Sequence, residues 1–236
     1  MSAHNIIEQN LLDLYYRLDL GNSIECSKCR ELNASLSNPV GCWLVGNKFH
    51  QQQKKILFVG KNARGYDDKP TGDKVFDDGR MHWNKSWAYW SYTAEVVIKL
   101  FGEDSPEYIA FTNIIKCNKS HDIDTTSDSM KEYCILKMRT LYHEISIIKP
   151  THIIFYTGRY YDEFIPKVFD EYTIIHDSIK PVGKKNMPWC EATARIDKSQ
   201  YHVLRIGHPE RKDKDDYVNA ICEWVKRNDS IYIPTT

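Results

Sequence analysis

Four of the seven cysteines in this chain are spaced to share one centre. Cys26 and Cys29 form a Cys-x2-Cys pair, Cys117 follows much later, and Cys134 lies seventeen residues beyond it. A Cys-x2-Cys presents two thiolates from one turn, and two more from distant sequence close a four-cysteine site. That spacing admits an iron–sulfur cluster or zinc. Cys117 and Cys134 also suit small buried residues, a common role for free cysteine. Cys42, Cys190 and Cys222 have no partner spacing and read as structural.

Two short loops carry the other chemistry. Gly60-Lys61-Asn62-Ala63-Arg64-Gly65 follows an apolar run, and Gly207-His208-Pro209-Glu210 follows another. Asn113 stands in Phe111-Thr112-Asn113-Ile114-Ile115-Lys116, just before Cys117. An amide side chain can accept from one N–H and donate to a neighbouring carbonyl. As isolated residues, Asn62 and Asn113 also suit a turn or a strand-end cap.

The elements that must position these residues read as alternating strands and helices. Ile7, Leu11, Leu14 and Leu18 recur at helical spacing, giving a helix over 4–19. Strands are predicted at 55–60, 108–115, 151–157 and 201–206. Residues 61–82, rich in Gly, Asp and Lys, read as a long functional loop. Trp83, Trp87, Trp90, Ala94, Val97, Ile98 and Phe101 mark a helix, with the tryptophans as its packed face. Ile135, Met138, Leu141, Tyr142, Ile145 and Ile148 mark another, ended near Pro150. A last helix carries Tyr217, Ile221, Trp224 and Val225. Residues 177–200 are the least regular stretch. This order predicts an α/β protein, a three-layer α/β/α arrangement with a central, mainly parallel four-stranded sheet. Ligands in such a sheet bind beyond the carboxyl ends of the strands. Gly60, Asn113, Gly158 and His208 all follow strand ends and are expected to converge on one edge.

With 236 residues, the chain suits one domain, 1–236, with its N-terminal helix and Cys-x2-Cys segment (1–50) packed on it. Hydrophobic residues make up 42%, enough for a sizeable core, and no run approaches the length of a membrane span. The first residues lack a basic region followed by an apolar run, so a cytoplasmic protein with reduced thiols is expected. Thirty-two basic and 32 acidic residues give zero formal net charge, which counts against strong non-specific DNA affinity but leaves room for a small basic groove.

Taken in order, Cys26-x2-Cys29-Arg30, Ile56-Leu57-Phe58-Val59-Gly60, Thr112-Asn113-Ile114-Ile115-Lys116-Cys117, Cys134, Lys149-Pro150, Gly158 and Gly207-His208-Pro209 resemble the uracil-DNA glycosylase superfamily. The resemblance is greatest to its iron–sulfur branch, the type 4 and 5 enzymes, and covers about residues 24–225. It implies a [4Fe–4S] cluster on Cys26, Cys29, Cys117 and Cys134, with zinc as the alternative. It also implies hydrolysis of the N-glycosidic bond of uracil or another deaminated base, in single- or double-stranded DNA, by a monomer that touches no membrane. By resemblance Asn113 reads the base, Phe76 stacks on it, Gly60 opens the first loop, Asn62 orients the water and His208 donates to the base carbonyl.

Three residues depart from the family pattern. Lys61 replaces a glutamate, Arg64 follows Ala63 in a loop from which the family's proline is absent, and Glu210 replaces the serine that contacts phosphate. The second reading is therefore a catalytically altered protein of the same build that binds nucleic acid or nucleotide. A third is a zinc-stabilised α/β protein with an unrelated small-molecule partner.

Overall fold

The continuous apolar runs become strands buried on both faces, as expected for the centre of a parallel sheet. The computed structural model describes residues 5–63, 73–84, 86–119 and 126–228. Arg64 and Gly65, singled out in the sequence, lie outside the described residues. Among those described, seven strands form one sheet: β1 (Leu44–Val45), β2 (Ile56–Asn62), β3 (Ala110–Ile115), β4 (His152–Phe155), β5 (Glu171–Val182), β6 (Lys185–Ile196) and β7 (Ser199–Ile206). Their order is β1-β3-β2-β4-β7-β6-β5. The four central strands, β3, β2, β4 and β7, are mutually parallel. β1 adds antiparallel to β3, and β6 and β5 add antiparallel beyond β7. The sheet thus has seven strands where four were expected, and the additions flank the parallel centre.

Seven α-helices are described: α1 (Ile6–Arg17), α2 (Ile24–Leu32), α3 (Asp73–His82), α4 (Ala88–Phe101), α5 (Asp128–Lys131), α6 (Thr140–Ile148) and α7 (Lys214–Arg227). One apolar cluster joins α1 and α6 to Leu57, Val59 and Ile153 on one sheet face. A second joins α4 and α7 to Ile56, Phe58 and Leu204 on the other. No described helix is long and apolar enough to cross a membrane.

Three sequence expectations change. Residues 73–82, read as loop, form α3, because Gly79 lets the helix lie against the Trp43 backbone, where a Cβ would collide. Residues 177–200 belong to a regular hairpin and the start of β7, turned at Gly183, whose φ of 58° suits glycine. β5 is mostly exposed, so its residues lack the alternation that marks a half-buried strand. The helix expected from Ile135 to Ile148 is broken: a π-helical turn (Glu132–Lys137) follows α5, and left-handed Arg139 (φ 49°) precedes α6.

Candidate functional site

The four cysteines expected to act together do converge. Cys26, Cys29, Cys117 and Cys134 line one cavity of about 30 Å3, together with Arg30 and Lys116. That is room for more than one water-sized group. Ser23 caps α2 by accepting from the Cys26 amide at 3.1 Å, which places Cys26 and Cys29 in the first two turns. Cys117 follows β3. Cys134 sits on the π-helical turn, a widened geometry that recurs at functional sites. Asn33 ties α2 to α5: its amide donates to the Cys29 carbonyl at 2.8 Å and to Ser129 Oγ at 2.9 Å, and accepts from Ser127 Oγ at 2.6 Å.

Burial pushes the Cys134 thiol up to about 12, against the pull of Lys116. Burial, then the neighbouring Cys134 and Cys26, raise Cys117 well above the usual thiol range. Cys29 is raised by burial and by Cys26. These thiols stand close enough to feel one another's charge. Soft thiolate donors beside Arg30 and Lys116 suit a metal centre carrying excess negative charge from its ligands.

A buried polar network runs from this cavity to the strand end. Lys116 Nζ donates to Glu144 Oε2 at 2.7 Å, to Thr112 Oγ1 at 2.8 Å and to the Asn113 carbonyl at 2.6 Å. Thr112 Oγ1 donates to Glu144 Oε2 at 2.8 Å, and Tyr15 Oη to Glu144 Oε1 at 2.7 Å. Both charged side chains are almost fully covered, so the hydrogen bonds compensate their loss of water. The network clamps the end of β3 between α1 and α6.

At the other face of the sheet edge, Gly60 of β2 lies opposite Asn113 of β3. A Cβ at Gly60 would collide with both Asn113 Oδ1 and Tyr89 Oη. The Tyr89 ring lies parallel to His208, with centroids 5.6 Å apart and planes 11° apart. Gly60, Asn113 and His208 therefore meet around Tyr89. Beyond β4 and β7, Gly158 (φ 62°) faces the Gly207 Cα. The strand order reverses between β2 and β4, which is where open parallel sheets place ligands.

His208 Nδ1 accepts from the Glu210 amide at 3.2 Å, so in the neutral ring the proton sits on Nε2. Tyr217 Oη donates to the Gly207 carbonyl at 2.8 Å, and Tyr92 Oη to that of Lys212 at 2.8 Å, which pin the loop to α7 and α4. Glu210 is exposed, its carboxylate 4.0 Å from His208 Nδ1. Asn62 is buried and donates from Nδ2 to Asn118 Oδ1 at 2.7 Å. Phe76 is placed elsewhere, 1% exposed in the core cluster of α1 and α6.

Sequence reasoning missed Tyr89, Asn118 and Glu144. Tyr89 is one position off the tryptophan stripe; its only signal was a polar tip on an apolar helix face. Of that stripe, Trp83 and Trp90 are packed as expected and Trp87 is exposed. No protein-family model matches the chain, and no curated protein does.

Proposed function

We propose that this chain is an iron–sulfur DNA glycosylase of uracil-DNA glycosylase-like build, hydrolysing the N-glycosidic bond of uracil or another deaminated base. One observation carries the reading: β3 holds Asn113 opposite Gly60 at the strand end and leads into Cys117, which lines a cavity with three further cysteines. The parallel centre β3-β2-β4-β7, covered by helices on both faces, is consistent with that build.

Cys26, Cys29, Cys117 and Cys134 are the ligands in this reading. Among the described residues, no three His, Cys, Asp or Glu side chains are gathered tightly enough for one metal ion. Four thiolates on one zinc stand about 3.8 Å apart, given Zn–S bonds of about 2.3 Å. A [4Fe–4S] cluster gives each thiolate its own iron, so its sulfurs stand farther apart than those of a single zinc site. When bound, it would crosslink α2, the end of β3 and the π-helical turn.

The reaction in this reading belongs to the strand ends that bring Gly60, Asn113 and His208 together. An extruded base would present its N–H to Asn113 Oδ1 and a carbonyl to Nδ2. As the C1′–N bond breaks, its electron pair passes to the base, and His208 Nε2–H donates to the carbonyl where charge builds. Asn62, with Nδ2 held by Asn118, keeps Oδ1 as an acceptor for a water that adds to C1′. An amide cannot take the water's proton; the water adds after the C1′–N bond has broken, at an oxocarbenium-like stage, and its proton passes to the departed base anion.

The test is base release from uracil-containing single- and double-stranded oligonucleotides by cluster-loaded protein. His208→Ala should lower the single-turnover rate by about 10²–10³-fold, as loss of one preorganised donor does. Asn113→Ala should remove selectivity for uracil over cytosine. Exposed Glu210 beside His208 favours the second reading, a binding protein without catalysis. Tight DNA binding with no base release would establish that reading instead.

A further inference from the structure

The tip of the β5–β6 hairpin concentrates positive charge. Residues 178–190 include Lys180, Lys184 and Lys185 and no acidic residue, in a chain of zero formal net charge. Lys184 and Lys185 are exposed, and their side chains make no hydrogen bond or ion pair with a described residue. Lys180 Nζ stands 4.6 Å from the centroid of the Trp189 ring. Lys180 pairs with Met187 and Val182 with Lys185, which makes Lys180 and Lys185 diagonal neighbours on one face of the hairpin, about 7–8 Å apart.

Lysines often guard an open sheet edge against pairing with another chain. That role does not account for these, because the open edge strand β5 exposes Ile174, Ile175 and Ile179, whereas two of the three lysines stand at the turn. The tip is also fixed in place. The Gly183 amide donates to Asp216 Oδ2 at 2.8 Å, and Val182 and Met187 are buried in the apolar cluster that includes α7. Asp213 is engaged as well, accepting from the Asp216 amide at 3.1 Å. Pro188 and Met187 face Gly207, the residue before His208. Lys185 is two residues before Met187, about 7 Å along the strand. The lysines therefore flank the His208 loop from a rigid support.

We propose that this hairpin tip is a phosphate-binding finger, in which Lys180, Lys184 and Lys185 hold the nucleic-acid backbone beside the base presented to His208. This rests on the DNA reading above and adds the surface that grips the strand. A base brought to the strand end carries its sugar and phosphates with it. Cations that neutralise phosphates release counterions, which gives affinity that depends on salt and not on sequence.

The experiment is fluorescence anisotropy of the full chain with single-stranded oligonucleotides, with and without uracil, over a range of salt concentrations. Lys184→Gln with Lys185→Gln should reduce the slope of log affinity against log salt by about 1.4, two contacts at ~0.7 each, which is roughly a 25-fold loss at 0.1 M salt. Both oligonucleotides should lose equally, since phosphate carries no base information. Lys184→Arg with Lys185→Arg should keep the wild-type slope. Lys198→Gln with Lys226→Gln removes the same charge from the β6–β7 turn and the last turn of α7, and should leave slope and affinity near wild type. Thermal midpoints and base release at saturating DNA should not change in any variant. An unchanged slope in the Lys184/Lys185 glutamine variant, an equal loss in the Lys198/Lys226 variant, a lowered midpoint or slower saturated release would overturn the finger and leave the DNA reading standing. Wild type that binds neither oligonucleotide would overturn both.

Discussion

Asn62 and Asn118 join the two candidate sites. Asn62 Nδ2 donates to Asn118 Oδ1 at 2.7 Å, and that oxygen also accepts from the Lys119 amide at 3.0 Å. Asn118 directly follows Cys117, and its own amide donates to Ser37 Oγ at 2.9 Å. The loop that carries Cys117 therefore also sets the orientation of the Asn62 amide.

Asn118→Ala should release Asn62 while leaving all four cysteines in place. Iron content should be unchanged and the single-turnover rate should fall about 10–100-fold, in line with a misplaced catalytic group. Metal analysis and base release, measured on the same preparation, check the two halves. Loss of iron with activity would mean that Asn118 serves the cluster loop alone.

The Lys116–Glu144 pair should be worth more intact than either half. Glu144→Gln leaves the lysine charge buried without its counter-charge, and should destabilise the fold by about 3–5 kcal/mol in denaturant unfolding. Replacing both with apolar residues of similar volume, Lys116→Met with Glu144→Leu, should recover much of that loss. A double variant no more stable than Glu144→Gln would show that the hydrogen bonds to Thr112, Asn113 and Tyr15 dominate over the charges.

Gly60→Ala should damage the pocket without touching the cysteines. The added methyl would displace Tyr89 Oη and Asn113 Oδ1 together. Base release should fall at least as far as in Asn113→Ala, while the iron content stays at the wild-type level. Retained activity in Gly60→Ala would place base recognition away from this strand end.

The parts of the molecule legible in the sequence are those in which local pattern and tertiary role agree. Ile56-Leu57-Phe58-Val59 reads as a buried strand because both faces of β2 are covered. Pro150 follows the left-handed Lys149 at the end of α6, as its stop signal implied. Where tertiary packing overrides local pattern, the reading fails. Gly79 disfavours a helix locally, yet α3 needs it to approach Trp43. Ile174, Ile175 and Ile179 of β5 are apolar and exposed, so they give no alternation. The convergence of Gly60, Asn113 and His208 was legible because parallel strands align their ends. That they meet around Tyr89 was not, because nothing local marks which helix residue covers a strand end. Nor could spacing show that Asn62 bonds to Asn118, since fifty-six positions separate them.

Iron and acid-labile sulfide in the full chain, purified anaerobically, test the account most directly. One [4Fe–4S] cluster on four thiolates requires brown protein with about four irons and four sulfides per chain. Cys117→Ala or Cys134→Ala should abolish that stoichiometry, whereas Cys190→Ala and Cys222→Ala, whose thiols lie outside the cavity, should preserve it. Colourless protein with one zinc and no sulfide per chain would contradict it.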